Sequence, residues 1–159
     1  MIRIATPADM NFAYSLYMHP DANPFLLYDP MDEQEFAPIY ADLLAKGIKY
    51  IYTEDGLPVG MFKLIPLTFR TSHIAYLGGL AIHPDQKGRG YGKKMLQEII
   101  EFAGKQGFLR IELSVAEMNT KAISLYEKMG FSKEGILKRY SYLKKEKIFI
   151  NEILMAYLY

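Results

Sequence analysis

Eight consecutive residues, Lys87-Gly88-Arg89-Gly90-Tyr91-Gly92-Lys93-Lys94, hold the densest chemistry in the chain. Glycines carry no side chain to fence off the backbone, so successive N–H groups can point at a bound anion. A helix start adds free donors and partial positive charge. Arg89, Lys93 and Lys94 bring formal charge, and the stretch suits a pyrophosphate or a similar group. Its spacing matches neither common nucleotide motif. A Walker loop needs Gly-x-x-x-x-Gly-Lys followed by a hydroxyl; here the spacing is one short and Lys94 replaces the hydroxyl. A dinucleotide turn needs Gly-x-Gly-x-x-Gly, and these glycines run Gly-x-Gly-x-Gly. The alternative is an ordinary strand-to-helix turn.

The flanking elements suit the anion reading. Upstream, the apolar run Ile74–Ile82 reads as a buried central strand, with Gly78-Gly79 leaving one stretch bare of side chains. Downstream, Met95, Leu96, Ile99, Ile100 and Ala103 line the inner face of a long helix that ends at Gly107. Earlier, Ile2–Ala5 reads as a strand. Thr6-Pro7-Ala8-Asp9 gives a capping box before a helix with Ala8, Phe12, Ala13, Leu16 and Tyr17 on one face. Asp29-Pro30-Met31-Asp32 opens a second helix toward Lys46, and Pro38 should kink or split it. Strands at Ile48–Thr53 and Val59–Ile65 are joined by the turn Glu54-Asp55-Gly56. Leu109, Ile111, Leu113 and Val115 alternate onto one side of a later strand. Asn119–Met129 is a short helix, and Phe131–Tyr140 and Phe149–Tyr157 are closing strands. The order βααβββαβαββ is an α/β layout, and 159 residues without repeats or linkers suit one domain spanning 1–159.

Two blocks of this sequence resemble a known family. Leu80-Ala81-Ile82-His83-Pro84 followed by Gly88-Arg89-Gly90-Tyr91-Gly92 is similar to the acyl-CoA signature of the GNAT superfamily of N-acetyltransferases, Gln/Arg-x-x-Gly-x-Gly/Ala. Asn119, Ala122, Tyr126 and Gly130-Phe131 match that family's Asn-x-x-Ala-x-x-x-Tyr-x-x-x-Gly-Phe helix. One departure is Lys87, which stands where the family has Gln or Arg, with Gln86 just before it. The resemblance implies a mixed, mostly antiparallel sheet with helices on both faces. It implies acetyl-CoA as acyl donor and no metal. The pyrophosphate would lie on the amides of Lys87, Gly88, Arg89, Gly90, Tyr91, Gly92 and Lys93, and the pantetheine arm along Leu80, Ala81 and Ile82. A primary amine (a small amine, amino acid, polyamine or peptide N-terminus) would attack the acetyl carbon directly. Tyr126 would protonate the departing thiolate, although its spacing from Ala122 and Met129 also fits packing. Asn119 would cap its helix, touch the cofactor arm, or both. For the general base, Tyr76, Glu112, His73 and a held water stay open.

Composition narrows the rivals. With no cysteine, disulfides, thiolate catalysis and cysteine-held metals are excluded. A net charge of +1 gives no overall pull toward nucleic acid or anionic membrane. The expected setting is cytoplasmic, for neither a signal peptide nor a membrane-length apolar run is evident. Asp29, Asp32, Glu33 and Glu35, near Phe25, Tyr28 and Phe36, could receive a cationic amine or simply complement a helix dipole. Tyr140 and Tyr142 could line the other rim. The tyrosine-rich end, Ile153–Tyr159, could pair across a homodimer. A CoA-binding sensor without catalysis is the alternative function; a nucleotide hydrolase lacks its hydroxyl and metal carboxylates.

Overall fold

The computed structural model describes residues 1–159. In chain order the elements are β1 (Ile2–Ile4), α1 (Met10–Tyr17), α2 (Glu33–Ala45), β2 (Lys49–Glu54), β3 (Leu57–Pro66) and β4 (Ile74–Ile82). After them come α3 (Tyr91–Lys105), β5 (Arg110–Ala116), α4 (Thr120–Lys128), β6 (Ser132–Leu143) and β7 (Ile148–Leu158). This is the order the sequence implied. The strands join in one seven-stranded sheet, β1-β2-β3-β4-β5-β7-β6. The β1/β2, β2/β3, β5/β7 and β6/β7 pairs run antiparallel, while β4 and β5 pair in parallel through Ile74–Tyr76 and Arg110–Glu112. A parallel pair needs a crossover, and α3 provides it. The mixed, mostly antiparallel sheet therefore agrees with expectation.

The contacts divide the chain into two compact units, Met1–Leu64 with Gly79–Ile99, and Ile65–Gly78 with Ile100–Tyr159. In the first, Ala13, Leu16 and Tyr17 of α1 pack with Phe36 and Tyr40 of α2 and with Ile51 and Met61 of the strands. Four tyrosine rings surround Phe36: Tyr14 and Tyr17 at 5.6 Å, Tyr40 at 6.0 Å and Tyr28 at 6.2 Å. Burying such rings is the main local source of stability, at roughly 1.5–3 kcal/mol per large apolar side chain. In the second unit, Ala75, Leu77, Ile111, Leu113 and Val115 form the core with Ile123, Phe131, Ile153 and Met155. Strand alternation puts them on inward faces.

Several local expectations need correcting. A 3-10 turn at Pro7–Asp9 precedes α1, so Ala8 is exposed rather than on the buried face. The second helix is capped by Asp32, not Asp29, because Asp32 and Glu35 close the reciprocal box. Pro38 does not split α2, which runs through it as one element. Phe36, Tyr40 and Leu43 are buried around Pro38, and their packing offsets the missing hydrogen bond. Leu109 is 61% exposed because β5 begins one residue later.

Candidate active site

The first unit carries the glycine turn. Beyond β4, Pro84–Gln86 makes a 3-10 turn in which Gln86 N donates to His83 O and Lys87 N donates to Pro84 O at 3.1 Å. The Lys87 amide is thus engaged inside the chain, unlike the amides that follow it. Gly88 and Gly90 follow with φ of +79° and +77°. A side chain would be strained at both, and a Cβ built there would meet no atom within 4 Å. The turn is open space bordered by backbone. The first helical bond of α3 runs from Lys94 N to Gly90 O, so the amides of Gly88 through Lys93 have no acceptor in the chain. Gly92 has a different job from its neighbours, for it lies inside the first turn of α3.

Charge at this helix start runs against the usual preference. No acidic residue occupies the first turn, where Lys93 and Lys94 stand exposed. Cations at the positive end of a helix dipole are unfavourable by roughly 0.3–1 kcal/mol each. Two of the local lysines have weak internal partners. Lys94 sits 3.8 Å from Glu54 and over the Tyr91 ring, and Lys87 sits 3.7 Å from Asp21. Arg89 and Lys93 enter no ion pair. Leu80, Ala81 and Ile82, the end of β4, are half-buried just before the turn. They are held flush against β3 at Gly60, where a Cβ would stand 2.7 Å from Ile82 Cδ1, 2.9 Å from Ala81 O and 3.0 Å from Met95 Sδ.

The second unit carries the other expected residues. Asn119 caps α4: its Oδ1 accepts from Ala122 N at 3.3 Å, which leaves its amide NH₂ free. Tyr126 is 7% exposed and packs 5.7 Å from the Phe131 ring. Its hydroxyl has no hydrogen-bond partner, yet no fully sealed side-chain oxygen in the protein lacks one. The Tyr126 oxygen therefore keeps an opening. Burial, and secondarily Tyr76, push its pKa up to about 12, so the phenol holds its proton at neutral pH.

The candidate bases are unequal. Tyr76 shares a 3.0 Å hydrogen bond with Ser114. Burial first, offset by that bond, raises its pKa. Glu112 lies 3.1 Å from the Arg110 Nε, and Arg110 also grips Glu134 through both terminal nitrogens at 2.9 and 2.6 Å. His73 is exposed at the start of β4, and its carbonyl accepts from Leu109 N. Tyr140 and Tyr142 are 59% and 44% exposed, and the Tyr142 ring packs at a tilt against Phe149, 4.5 Å between centres.

Two groups escaped the sequence reading. Lys49 is 0% exposed and Lys63 6% exposed, on adjacent strands and in register with each other. Lys49 Nζ donates to Tyr17 Oη at 3.1 Å and lies over that ring. Lys63 Nζ lies 5.3 Å from the centre of the Tyr28 ring. The loop presenting Tyr28 is fixed by Asn23, whose Nδ2 donates to both Tyr17 O and Tyr28 O. The sequence signal was faint but present: Lys49 has the strand parity of buried Ile51, and Lys63 that of buried Met61. The acids at the α2 start behave otherwise, since Asp32 and Glu35 bond each other's backbone.

Residues 11–131 match the model described as acetyltransferase (GNAT) family. A 66-residue stretch is 35% identical to the ribosomal protein bS18-alanine N-acetyltransferase of Escherichia coli, covering 42% of this chain and 45% of that protein. Alignments with the curated relatives span under half of those proteins' own length. Over the full fold, a GNAT-family acetyltransferase from Streptococcus pneumoniae superposes with a TM-score of 0.78 at 26% identity, covering 100% of this chain and 99% of that one. Spermidine N-acetyltransferase from Vibrio cholerae, solved with CoA and spermine, gives 0.86 over 99% and 94% of the two chains. At 20% identity that second likeness concerns the fold alone. No helix here is long and apolar enough to cross a membrane.

Proposed function

The chain belongs to the acetyltransferase (GNAT) family, and from that premise we propose that residues 1–159 act as one acetyl-CoA-dependent N-acetyltransferase domain acting on a primary amine. The observation that carries this reading is the run of acceptor-free amides from Gly88 to Lys93, opened by two left-handed glycines and flanked by lysines. Such a run suits a diphosphate, whose charge replaces the carboxylate missing from this helix start. When bound, acetyl-CoA supplies an acetyl group activated as a thioester.

The chain's own groups then have separable tasks. Amides 88–93 anchor the diphosphate, and Arg89 and Lys93 add charge at its edge. The backbone of Leu80–Ile82 aligns the arm, and one of its N–H groups polarises the thioester carbonyl. Tyr126 would give its proton to the sulfur that leaves when a neutral amine takes up the acetyl group. With a pKa near 12, Tyr126 is a donor across the working pH range and recovers its proton readily. Because Glu112 is held by Arg110 and Tyr76 by Ser114, removal of the amine proton falls to water or to His73.

Thiol release from acetyl-CoA, followed across an amine panel, tests the reaction. Tyr126→Phe should lower kcat by about 10²-fold with CoA affinity nearly unchanged. Wild-type turnover in that variant would remove the assignment. Calorimetry detecting no CoA affinity would sink the whole reading, and binding without turnover on a broad panel would favour a sensor.

A further inference from the structure

Lys49 and Lys63 have no task in the reaction above, and their placement is costly. They face each other across β2 and β3, both nearly sealed from water, and no carboxylate pairs with either. Like charges in register on adjacent strands repel, and burial penalises each ammonium further. Burial depresses both pKa values, with Lys63 adding to the effect on Lys49. The two amines are not equivalent. Lys49 is closed off, its nitrogen bonded to Tyr17 Oη. Lys63 has no hydrogen-bond partner, and since no fully buried side-chain nitrogen in the protein is unpartnered, its nitrogen borders an accessible space.

The tip of Lys63 lies beside Gly79 of β4. A Cβ at Gly79 would stand 3.4 Å from Lys63 Cε and 2.8 Å from Tyr17 Oη, so the lysine tip passes the bare backbone immediately before Leu80. The titratable groups placed beside Lys63 are Tyr17 from α1, Tyr28 from the loop before α2 and Lys49 from β2, all neutral or cationic, with Asp42 of α2 acting on Tyr28 from beyond.

We propose that Lys63, backed by Lys49 and the Tyr17 hydroxyl, receives a carboxylate carried by the acceptor, so that the substrate class is an amine bearing a carboxylate rather than a polyamine. This rests on the reading that the acetyl group is delivered along Leu80–Ile82. An incoming carboxylate supplies the countercharge that the pair lacks, and it fixes the amine beside the strand. A polycationic acceptor meets two lysines of its own sign there, neither of them paired to a carboxylate.

The test compares common amino acids with their carboxamides, and with spermidine, as acceptors for acetyl-CoA. The wild type should favour the best carboxylate over its carboxamide by about tenfold or more in kcat/KM, and over spermidine by more. Lys63→Met should erase that preference mainly through KM, and Lys63→Arg should restore part of it. CoA affinity and melting temperature should stay close to wild type in both variants. Equal rates for carboxylate and carboxamide, or a preference for spermidine, overturn the subsite, and because the unmodified protein reports this, it holds even if a variant misfolds. Turnover confined to amines without a carboxylate, or CoA binding with no acetylation of any panel member, also overturns it. Absence of CoA binding is a different failure, that of the acetyltransferase reading itself.

Discussion

Two helix starts in the first unit solve the same problem in opposite ways. At α2, Asp32 Oδ1 accepts from Glu35 N at 2.8 Å, Asp32 N donates to Glu35 Oε2 at 3.1 Å, and the acids complement the dipole. That end is complete by itself. At α3 the first turn has lysines and no acid, and its amides have no acceptor in the chain. The first arrangement serves stability; the second leaves stability unclaimed and holds a ready place for a foreign anion. A helix start that declines to cap itself is thus informative, and the contrast can be attacked from either side.

The most disruptive change is Gly90→Val. At a φ of +77° a β-branched residue is forced out of position, and CoA affinity by calorimetry should fall by about 10- to 100-fold. Retained affinity would mean that the turn does not hold the diphosphate. Lys93→Glu makes α3 resemble α2: CoA binding should weaken by about tenfold while the melting temperature holds or rises slightly. An unchanged dissociation constant at low salt would break the contrast. Asp32→Ala, the reverse experiment, should lower unfolding stability by about 1 kcal/mol in denaturant titration and leave CoA affinity alone.

The smallest effect belongs to the other self-satisfied start, before α1. Asp9 accepts from Arg3 at 2.7 and 2.6 Å and from Thr6 N at 2.8 Å. The Arg3 hydrogen bond, opposed by burial and helped by Thr6, lowers its pKa to about 2. Its contribution is present above the unfolded value of about 3.9 and is lost as pH falls through about 2. Asp9→Asn should flatten that part of the stability-against-pH curve, and an unaltered acid limb would argue against the pair.

Much of this was legible beforehand, and the exceptions share causes. Element order follows from periodicity, so β4 and the inner face of α3 fell where the apolar spacing put them. The left-handed turns at Gly88 and Gly90 and the Asn119 cap belong to short motifs whose geometry is local, while the role of Tyr126 belongs to the proposed reaction. Pro38 misled because tertiary packing around Phe36 and Tyr40 outweighs a local breaker. The internal bond of the Lys87 amide was not foreseen, because a 3-10 turn at Pro84–Gln86 leaves no trace in hydrophobic pattern. Lys49 and Lys63 left only a faint signal for a deeper reason. Met61 and Phe62 are both fully buried, so β3 is covered on both faces and alternation no longer separates inside from outside. Only pairing across strands reveals that the two lysines meet.

The close approach at Gly60 joins three elements at one seam, since a single methyl there would press on the end of β4 and on Met95 of α3 together. The strand proposed to guide the thioester and the helix proposed to anchor its phosphates therefore cannot drift apart independently. Remodelling for a bulkier acyl chain is better begun elsewhere, because widening this seam would loosen the grip on the donor's distant end at the same stroke.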